Sequence, residues 1–334
     1  MNEFHKPYQI QVSLVSYGCT RRCVWCAFRT LPKDTKPIYI KTSLAYKIAD
    51  DIGDWLEKIR IDFSPFGEQF LHKNIFDILS YFADTIKNPY LIVYSNGDLL
   101  DEEKIKEFFM SGGNQLGIDP YDQKTYDRFI RIIKENKDLF DKLGVNIILY
   151  DSEKHNFKYN YHRGKKKRYL LIMDTLRNPR GTRVFNSMGG NVDMTLVKKH
   201  GIYIDDEMKQ NKYCVRPFRE FQIRSDGTIP LCCYDWRADC IIGKYPDDGS
   251  LEEIWYSEAF MAVRAILRHH RTIPPCDLCT YHGGYRIGLE PKIDFKDPEI
   301  FLAKHQEKYR HLKLSNAREW KVTKRNTLFS ILLR

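Results

Sequence analysis

The chain has 334 residues, 43% hydrophobic and 29% charged, with 54 Lys and Arg against 44 Asp and Glu for a formal charge of +10. That length suits about two domains at roughly 150 residues each, and the composition excludes a disordered chain, a collagen-like fibre and a disulfide-stapled miniprotein. Without a long apolar run, and without a charged-then-apolar leader over Met1 to Ile10, the expectation is a cytoplasmic protein that does not insert in membranes and keeps its cysteines reduced.

Strand patterns rich in β-branched residues run over Gln11 to Ser16, Arg60 to Phe63, Tyr90 to Tyr94, Gln115 to Asp119, Val145 to Tyr150 and Tyr169 to Met173. Between them, Leu44, Ile48, Ile52 and Trp55 recur at helical spacing, as do Ile75, Ile78, Leu79, Phe82 and Ile86. Asp101, followed by Glu102 and Glu103, predicts an N-cap and first turn for a helix carrying Ile105, Phe108 and Phe109. Six strands with crossover helices predict an α/β fold, a barrel or partial barrel, with its chemistry in the loops at the carboxyl ends of the strands.

A connector over Asp151 to Arg168 ends in the basic run Lys165, Lys166, Lys167, Arg168. A second region begins near Lys212, with two short strand patterns around the turn Ser225-Asp226-Gly227-Thr228. One helix is then expected to bury Leu251, Ile254, Trp255, Val263, Ile266 and Leu267, before a charged, partly helical C-terminal segment that closes on Thr327 to Arg334. No internal repeat or low-complexity segment is evident.

The nine cysteines fall in two groups. Cys19, Cys23 and Cys26 follow the first strand, separated by three and then two residues. Three thiolates can wrap one corner of a four-iron cubane and leave one iron open, whereas a structural iron–sulfur or zinc site takes four protein ligands. This CxxxCxxC loop resembles that of the radical S-adenosylmethionine (SAM) enzymes. The resemblance implies that Cys19, Cys23 and Cys26 hold a cluster whose open iron binds SAM, that one electron cleaves SAM to a 5'-deoxyadenosyl radical, and that Trp25 lies beside the adenine.

Further segments carry the same resemblance. Ser64-Pro-Phe-Gly-Glu-Gln69 is similar to the family's GGEP loop, which holds the methionine amine of SAM, with Gly67 and Glu68 in place but Phe66 for Gly and Gln69 for Pro. Tyr94-Ser-Asn-Gly97 resembles a TNG-type turn, implying Ser95 and Asn96 near the ribose or carboxylate, and Ile118-Asp119-Pro-Tyr-Asp122 resembles a SIDG-type segment bearing Asp119. An ordinary turn or helix cap would also explain Asn96 or Asp119. No catalytic side chain beyond these cofactor contacts is singled out.

Cys214, then Gly227 and, after four intervening residues, Cys232, then Cys276-Asp-Leu-Cys279, resemble the SPASM/twitch auxiliary-cluster domain of many radical SAM enzymes. Thr280-Tyr-His-Gly-Gly-Tyr285 adds no cysteine, so one auxiliary cluster is expected, held by Cys214, Cys232, Cys276 and Cys279. Cys233 is the alternative to Cys232, Cys240 reads as a structural thiol, and His269, His270 and His282 lack metal-ligand spacing. Asn186-Ser-Met-Gly-Gly-Asn191 is similar to a loop that precedes many SPASM domains, either lining a substrate pocket or forming a glycine turn.

The resemblance therefore implies a partial (β/α)6 TIM-like barrel over residues 8–185, a connecting segment 186–211, a small twitch-type α+β auxiliary-cluster domain over 212–285 and a charged extension 286–334. It implies two 4Fe-4S clusters, SAM, and an electron donor such as flavodoxin or ferredoxin. The chemistry suits an oxidoreductase that dehydrogenates a polar, sugar-like or phosphorylated substrate, with rearrangement or epimerisation as the redox-neutral outcome. The basic charge, including Arg21, Arg22, Arg177, Arg180 and Arg183, keeps an anionic substrate and a nucleotide or modified base of DNA or RNA in view. A zinc-bearing nucleic-acid-binding protein is the non-enzymatic alternative.

Overall fold

Strand β1 (Gln9–Val12) is buried along its whole length, yet only Ile10 and Val12 join the apolar core. Alternation along a strand puts Gln9 and Gln11 on the opposite face. This computed structural model describes residues 5–149, 168–173, 186–200, 214–268, 272–281, 293 and 295–320. After β1 the chain bends, and β2 (Val15–Ser16) pairs antiparallel with β3 (Ile38–Tyr39). The continuous strand expected over Gln11 to Ser16 is therefore two short ones. Side chains add to the bend's backbone bonds: Ser13 N–H donates to Ile223 O at 2.9 Å, while Ser13 Oγ donates to the Val15 and Pro65 carbonyls at 2.9 and 2.8 Å.

The other five expected strands are present as β4 (Arg60–Asp62), β5 (Tyr90–Ser95), β6 (Gln115–Ile118), β7 (Val145–Leu149) and β8 (Arg168–Ile172). A seventh, β9 (Glu220–Ile223), arrives from beyond Cys214. The sheet runs β7-β8-β6-β5-β4-β1-β9, with every neighbouring pair parallel. This is an α/β partial barrel in which β8, not β7, lies against β6, and in which the second region supplies one edge strand.

Buried parallel strands usually read as continuous apolar runs. Here β1, β4 and β9 alternate, and their register aligns the polar positions: Gln9 faces Arg60 and Glu220, while Gln11 faces Asp62 and Gln222. Gln11, Asp62 and Gln222 are all buried. The opposite face carries Ile10, Val12, Ile61, Phe63, Phe221 and Ile223 into the core. Onto that core pack helices α1 (Thr42–Trp55), α2 (Ile75–Thr85) and α3 (Glu102–Met110), whose Ile48, Ile52, Ile78, Phe82, Ile105 and Phe108 are wholly excluded from solvent. Each such side chain contributes about 1.5–3 kcal/mol by burial. Asp101 caps α3 as expected, accepting the Lys104 N–H at 2.9 Å.

In the second region, β10 (Thr228–Pro230) pairs antiparallel with β11 (Ile241–Lys244). The single helix expected there is two, Leu251–Trp255 and Glu258–Leu267. Ser257 interrupts it and caps the second piece by accepting the Phe260 N–H at 3.3 Å, while all six expected core residues stay buried. Helix Pro298–Lys308 presents Gln306, whose amide both accepts from Ile241 N and donates to Ile241 O at 2.8 Å, closing an edge of β11. Lys165 to Lys167, Arg177, Arg180, Arg183, His269, His270, His282 and the tail from Thr327 lie outside the described residues. Among the described residues no helix is long and apolar enough to cross a membrane.

Candidate functional site

The first cysteine loop leaves β2 and passes beside the segments that follow β4, β5 and β6. Cys26 N–H donates to Cys23 O at 3.1 Å and Arg29 N–H to Cys26 O at 3.1 Å, so the last cysteine opens a short 3-10 turn over Ala27–Thr30. Cys19 Sγ accepts from Arg21 N at 3.4 Å and Asn96 Nδ2 at 3.5 Å. Burial pushes the Cys19 thiol up, and burial beside Cys26 and Cys19 pushes Cys23 up to about 12. Three sulfurs close enough that Cys26 and Cys19 oppose the ionisation of Cys23 form a donor set that bound iron would relieve.

Side chains stitch this loop to the turn after β5. Arg21 Nε donates to Asp98 Oδ2 at 2.8 Å and its Nη2 to Asp122 Oδ2 at 2.8 Å. Thr20 Oγ1 donates to Asp98 at 2.8 Å and receives Asn96 Nδ2 at 3.0 Å. Asp122 is also the N-cap of α4 (Gln123–Glu135), accepting Thr125 N–H at 2.7 Å. Trp25 packs on Tyr121 with ring centroids 5.3 Å apart, and the Arg21 guanidinium lies 5.6 Å from that same ring. Sequence reasoning missed Thr20, Asp98, Tyr121 and the bridging use of Asp122. The usable signal was the cap pattern of Asp122 three residues before Thr125.

The segment Ser64 to Gln69 lies flat against the start of the cysteine loop. Tyr17 N–H donates to Phe66 O and Glu68 N–H to Gly18 O, both at 2.7 Å. A Cβ on Gly67 would sit 2.3 Å from Val15 O and 2.7 Å from Gly18 O, so only glycine allows this approach. Both departures from the GGEP pattern have a physical role. Phe66 adopts φ 67°, conformation that glycine takes freely, and its ring is held 5.4 Å from that of Trp236 and 4.8 Å from the Arg224 guanidinium. Gln69 is wholly buried and accepts from Leu14 N at 2.6 Å and Val15 N at 2.9 Å.

Glu68 is 2% exposed and accepts from Ser95 Oγ at 3.0 Å, Asn96 N at 3.0 Å and Phe70 N at 3.3 Å. Burial pushes its carboxyl up to about 7 against those three donors. Asp119 is buried after β6, its N–H donating to Ser95 O at 2.9 Å. The structure thus gathers Trp25, Gly67, Glu68, Ser95, Asn96 and Asp119 around the loop of Cys19, Cys23 and Cys26.

Cys214, Cys232, Cys276 and Cys279 are all buried and line one recess with Gly189, Arg216, Pro217, Tyr234, Pro275 and Tyr281. Burial, with the other cysteines alongside, raises the Cys232 thiol well above its ordinary value. Cys233 does not line the recess; its Sγ accepts from Arg216 Nη1 at 2.9 Å. Cys240 sits wholly buried in the core beneath the Asp235 carboxylate, which accepts its N–H at 3.0 Å. Among the described residues no three His, Cys, Asp or Glu side chains converge as ligands of a single metal ion. Four thiols around a recess are a donor set suited to a cluster.

The Asn186 to Asn191 loop bridges the two cysteine regions. Ser187 Oγ donates to Leu278 O at 2.6 Å, Asn191 Nδ2 to Tyr234 O at 2.8 Å, and Thr30 Oγ1 to Asn191 O at 2.5 Å. Gly189 and Gly190 take φ of 68° and 78° to make the turn.

Comparison with known proteins agrees with this geometry. Residues 13–156 match the radical SAM superfamily, and residues 214–280 match SPASM, an iron–sulfur cluster-binding domain. The chain is 22% identical over 288 residues, 84% of its own length and 95% of the relative's, to the S-adenosyl-L-methionine-dependent 2-deoxy-scyllo-inosamine dehydrogenase of Niallia circulans. Its fold is similar to the crystal structure of BtrN in complex with AdoMet and 2-DOIA, with a TM-score of 0.59 and 17% identity over 88% of this chain and 98% of that one. An open conformation of BtrN gives a TM-score of 0.52 at 17% identity, covering 89% of this chain and 100% of that one.

Proposed function

Because the chain is a radical SAM protein with a C-terminal SPASM-type cluster-binding domain, we propose that it dehydrogenates an alcohol on a polar, hydroxyl-rich substrate, using one auxiliary cluster as electron acceptor. When bound, the two clusters and SAM supply hydrogen-atom abstraction and a sink for one electron. Cys19, Cys23 and Cys26 would hold the first cluster. Gly67, Glu68, Ser95 and Asn96 would position SAM beside it, with Trp25 and Asp119 at the rim.

The observation that carries the reading is the recess ringed by Cys214, Cys232, Cys276 and Cys279. Four thiolates saturate a cluster, which then serves electron transfer instead of ligating substrate. The polar positions aligned across β4, β1 and β9 support a substrate that exchanges many hydrogen bonds, and the relative named above is a dehydrogenase of an inosamine. Loss of one hydrogen atom, one electron and one proton converts the alcohol to a ketone.

The test is anaerobic reconstitution and reduction with SAM, with aminocyclitols and sugar phosphates deuterated at each carbinol carbon. The expected result is about eight irons per chain and deuterium in 5'-deoxyadenosine from one position, with a ketone formed. Tightly bound zinc without SAM cleavage, or deuterium returned to an epimerised alcohol, would overturn it.

A further inference from the structure

We propose that Arg216 sets the electron affinity of the group held by Cys214, Cys232, Cys276 and Cys279, by fixing a positive charge against it. This rests on the reading above, that the four thiolates carry a saturated iron–sulfur cluster. Arg216 and both tyrosines that flank it, Tyr234 and Tyr281, line the same recess as the four thiols. Its guanidinium lies 4.7 Å from the centroid of the Tyr234 ring and 4.3 Å from that of Tyr281. One side-chain nitrogen, Nη1, reaches Glu220 Oε2 at 2.7 Å and Cys233 Sγ at 2.9 Å. Another, Nε, is buried and has no hydrogen-bond partner among the described residues.

The direction of the ion pair matters. Glu220 does not line the recess, so the pair turns its positive end toward the thiols and its negative end away. One-electron reduction adds a unit of negative charge to the cluster. The guanidinium is already fully protonated and can take up no compensating proton, so it answers that charge by Coulomb attraction. Burial keeps solvent from screening the attraction. Net charge is an established lever on cluster potential, and the fixed positive charge favours the reduced form here.

A purely structural arginine, gluing Glu220 to the two tyrosines, would have no signed effect on potential. The experiment uses the full chain with Cys19, Cys23 and Cys26 replaced by Ala, so that only the second site takes a cluster on reconstitution with iron and sulfide. Its midpoint potential is read by redox titration with EPR detection. Arg216→Gln is expected to lower the reduced-to-oxidised ratio at a given potential at least tenfold, a shift of about 59 mV for one electron. Glu220→Gln leaves Arg216 in place and removes the opposing charge, so the midpoint is expected to rise, and Arg216→Lys to fall between wild type and Arg216→Gln. Unchanged midpoints, or shifts of the same sign for Arg216→Gln and Glu220→Gln, overturn the proposal. Should Arg216→Gln lose its iron, the Glu220→Gln titration decides alone, and no upward shift overturns it. A chain that takes no cluster at the second site before any Arg216 substitution fails the underlying reading instead, a result seen in the iron count.

Discussion

Gln69 and Val15 hydrogen-bond in both directions: the Val15 N–H donates to Gln69 Oε1 at 2.9 Å, and Gln69 Nε2 donates to Val15 O at 3.3 Å. With the Leu14 N–H on the same oxygen, one side-chain amide satisfies the backbone where β1 ends and the cysteine loop begins. Gln69→Leu keeps the volume but strands two buried N–H groups, each costing about 1–3 kcal/mol. The expected loss is about 2–6 kcal/mol of stability in chemical denaturation of the cluster-free chain. A loss below about 0.5 kcal/mol would show that the amide is not what holds the bend.

Gly67→Ala is expected to act locally. Its Cβ would meet two backbone carbonyls, Val15 O and Gly18 O, at 2.3 and 2.7 Å, and backbone cannot swing aside as a side chain can. The cysteine loop from Cys19 to Cys26 should be displaced while the second site, built on other segments, keeps its iron. Iron per reconstituted chain should drop from about eight to about four, with SAM cleavage lost. Full iron content would contradict the close approach.

Adjacent cysteines are expected to differ sharply. Cys232 faces the recess and Cys233 the Arg216 guanidinium. Cys232→Ser should halve the iron content, whereas Cys233→Ser should keep it, because Ser can accept the same hydrogen bond. The reverse pattern in iron and acid-labile sulfide assays would reassign the ligand.

The carboxylate at Asp122 should report on Arg21. The hydrogen bond from Arg21, then that from the Thr125 N–H, lowers its pKa to about 2. A depressed carboxylate stabilises the fold above the unfolded value of about 3.9, and that contribution is lost as pH falls through about 2. Asp122 is largely solvated, so the energy is small, but the titration is readable. Arg21→Gln is expected to return Asp122 toward the ordinary aspartate value, followed by carboxyl carbon NMR; an unmoved titration would sever the link.

Much of this architecture was legible because it is local. Cysteine spacing, strand alternation and the Asp101 cap each depend on residues within a few positions of one another, and each appears where expected. What was not legible depends on distant partners. Glu220 to Ile223 alternates just as Gln9 to Val12 does, but nothing in either segment says that they pair. The exchange of β7 and β8 has the same origin. Ser257 was readable as a cap, yet the apolar spacing on both sides of it concealed the break. Phe66 and Gln69 looked like weaknesses in a motif, because their compensation comes from Trp236, Arg224 and the β1 bend, far away or on another strand. Arg216 gave no signal at all, since its neighbours Tyr234 and Tyr281 approach only after folding.

The parallel pairing of β1 with β9 also constrains how the chain is made. Gln9 leaves the ribosome about 210 residues ahead of its partner Glu220, an interval of roughly 10–40 s at 5–20 residues per second. Throughout it, one edge of β1 stands open with unpaired backbone groups, a template for pairing with other chains. Expression of the N-terminal half by itself would make that temporary exposure permanent, and slower elongation would lengthen the hazard instead of easing it.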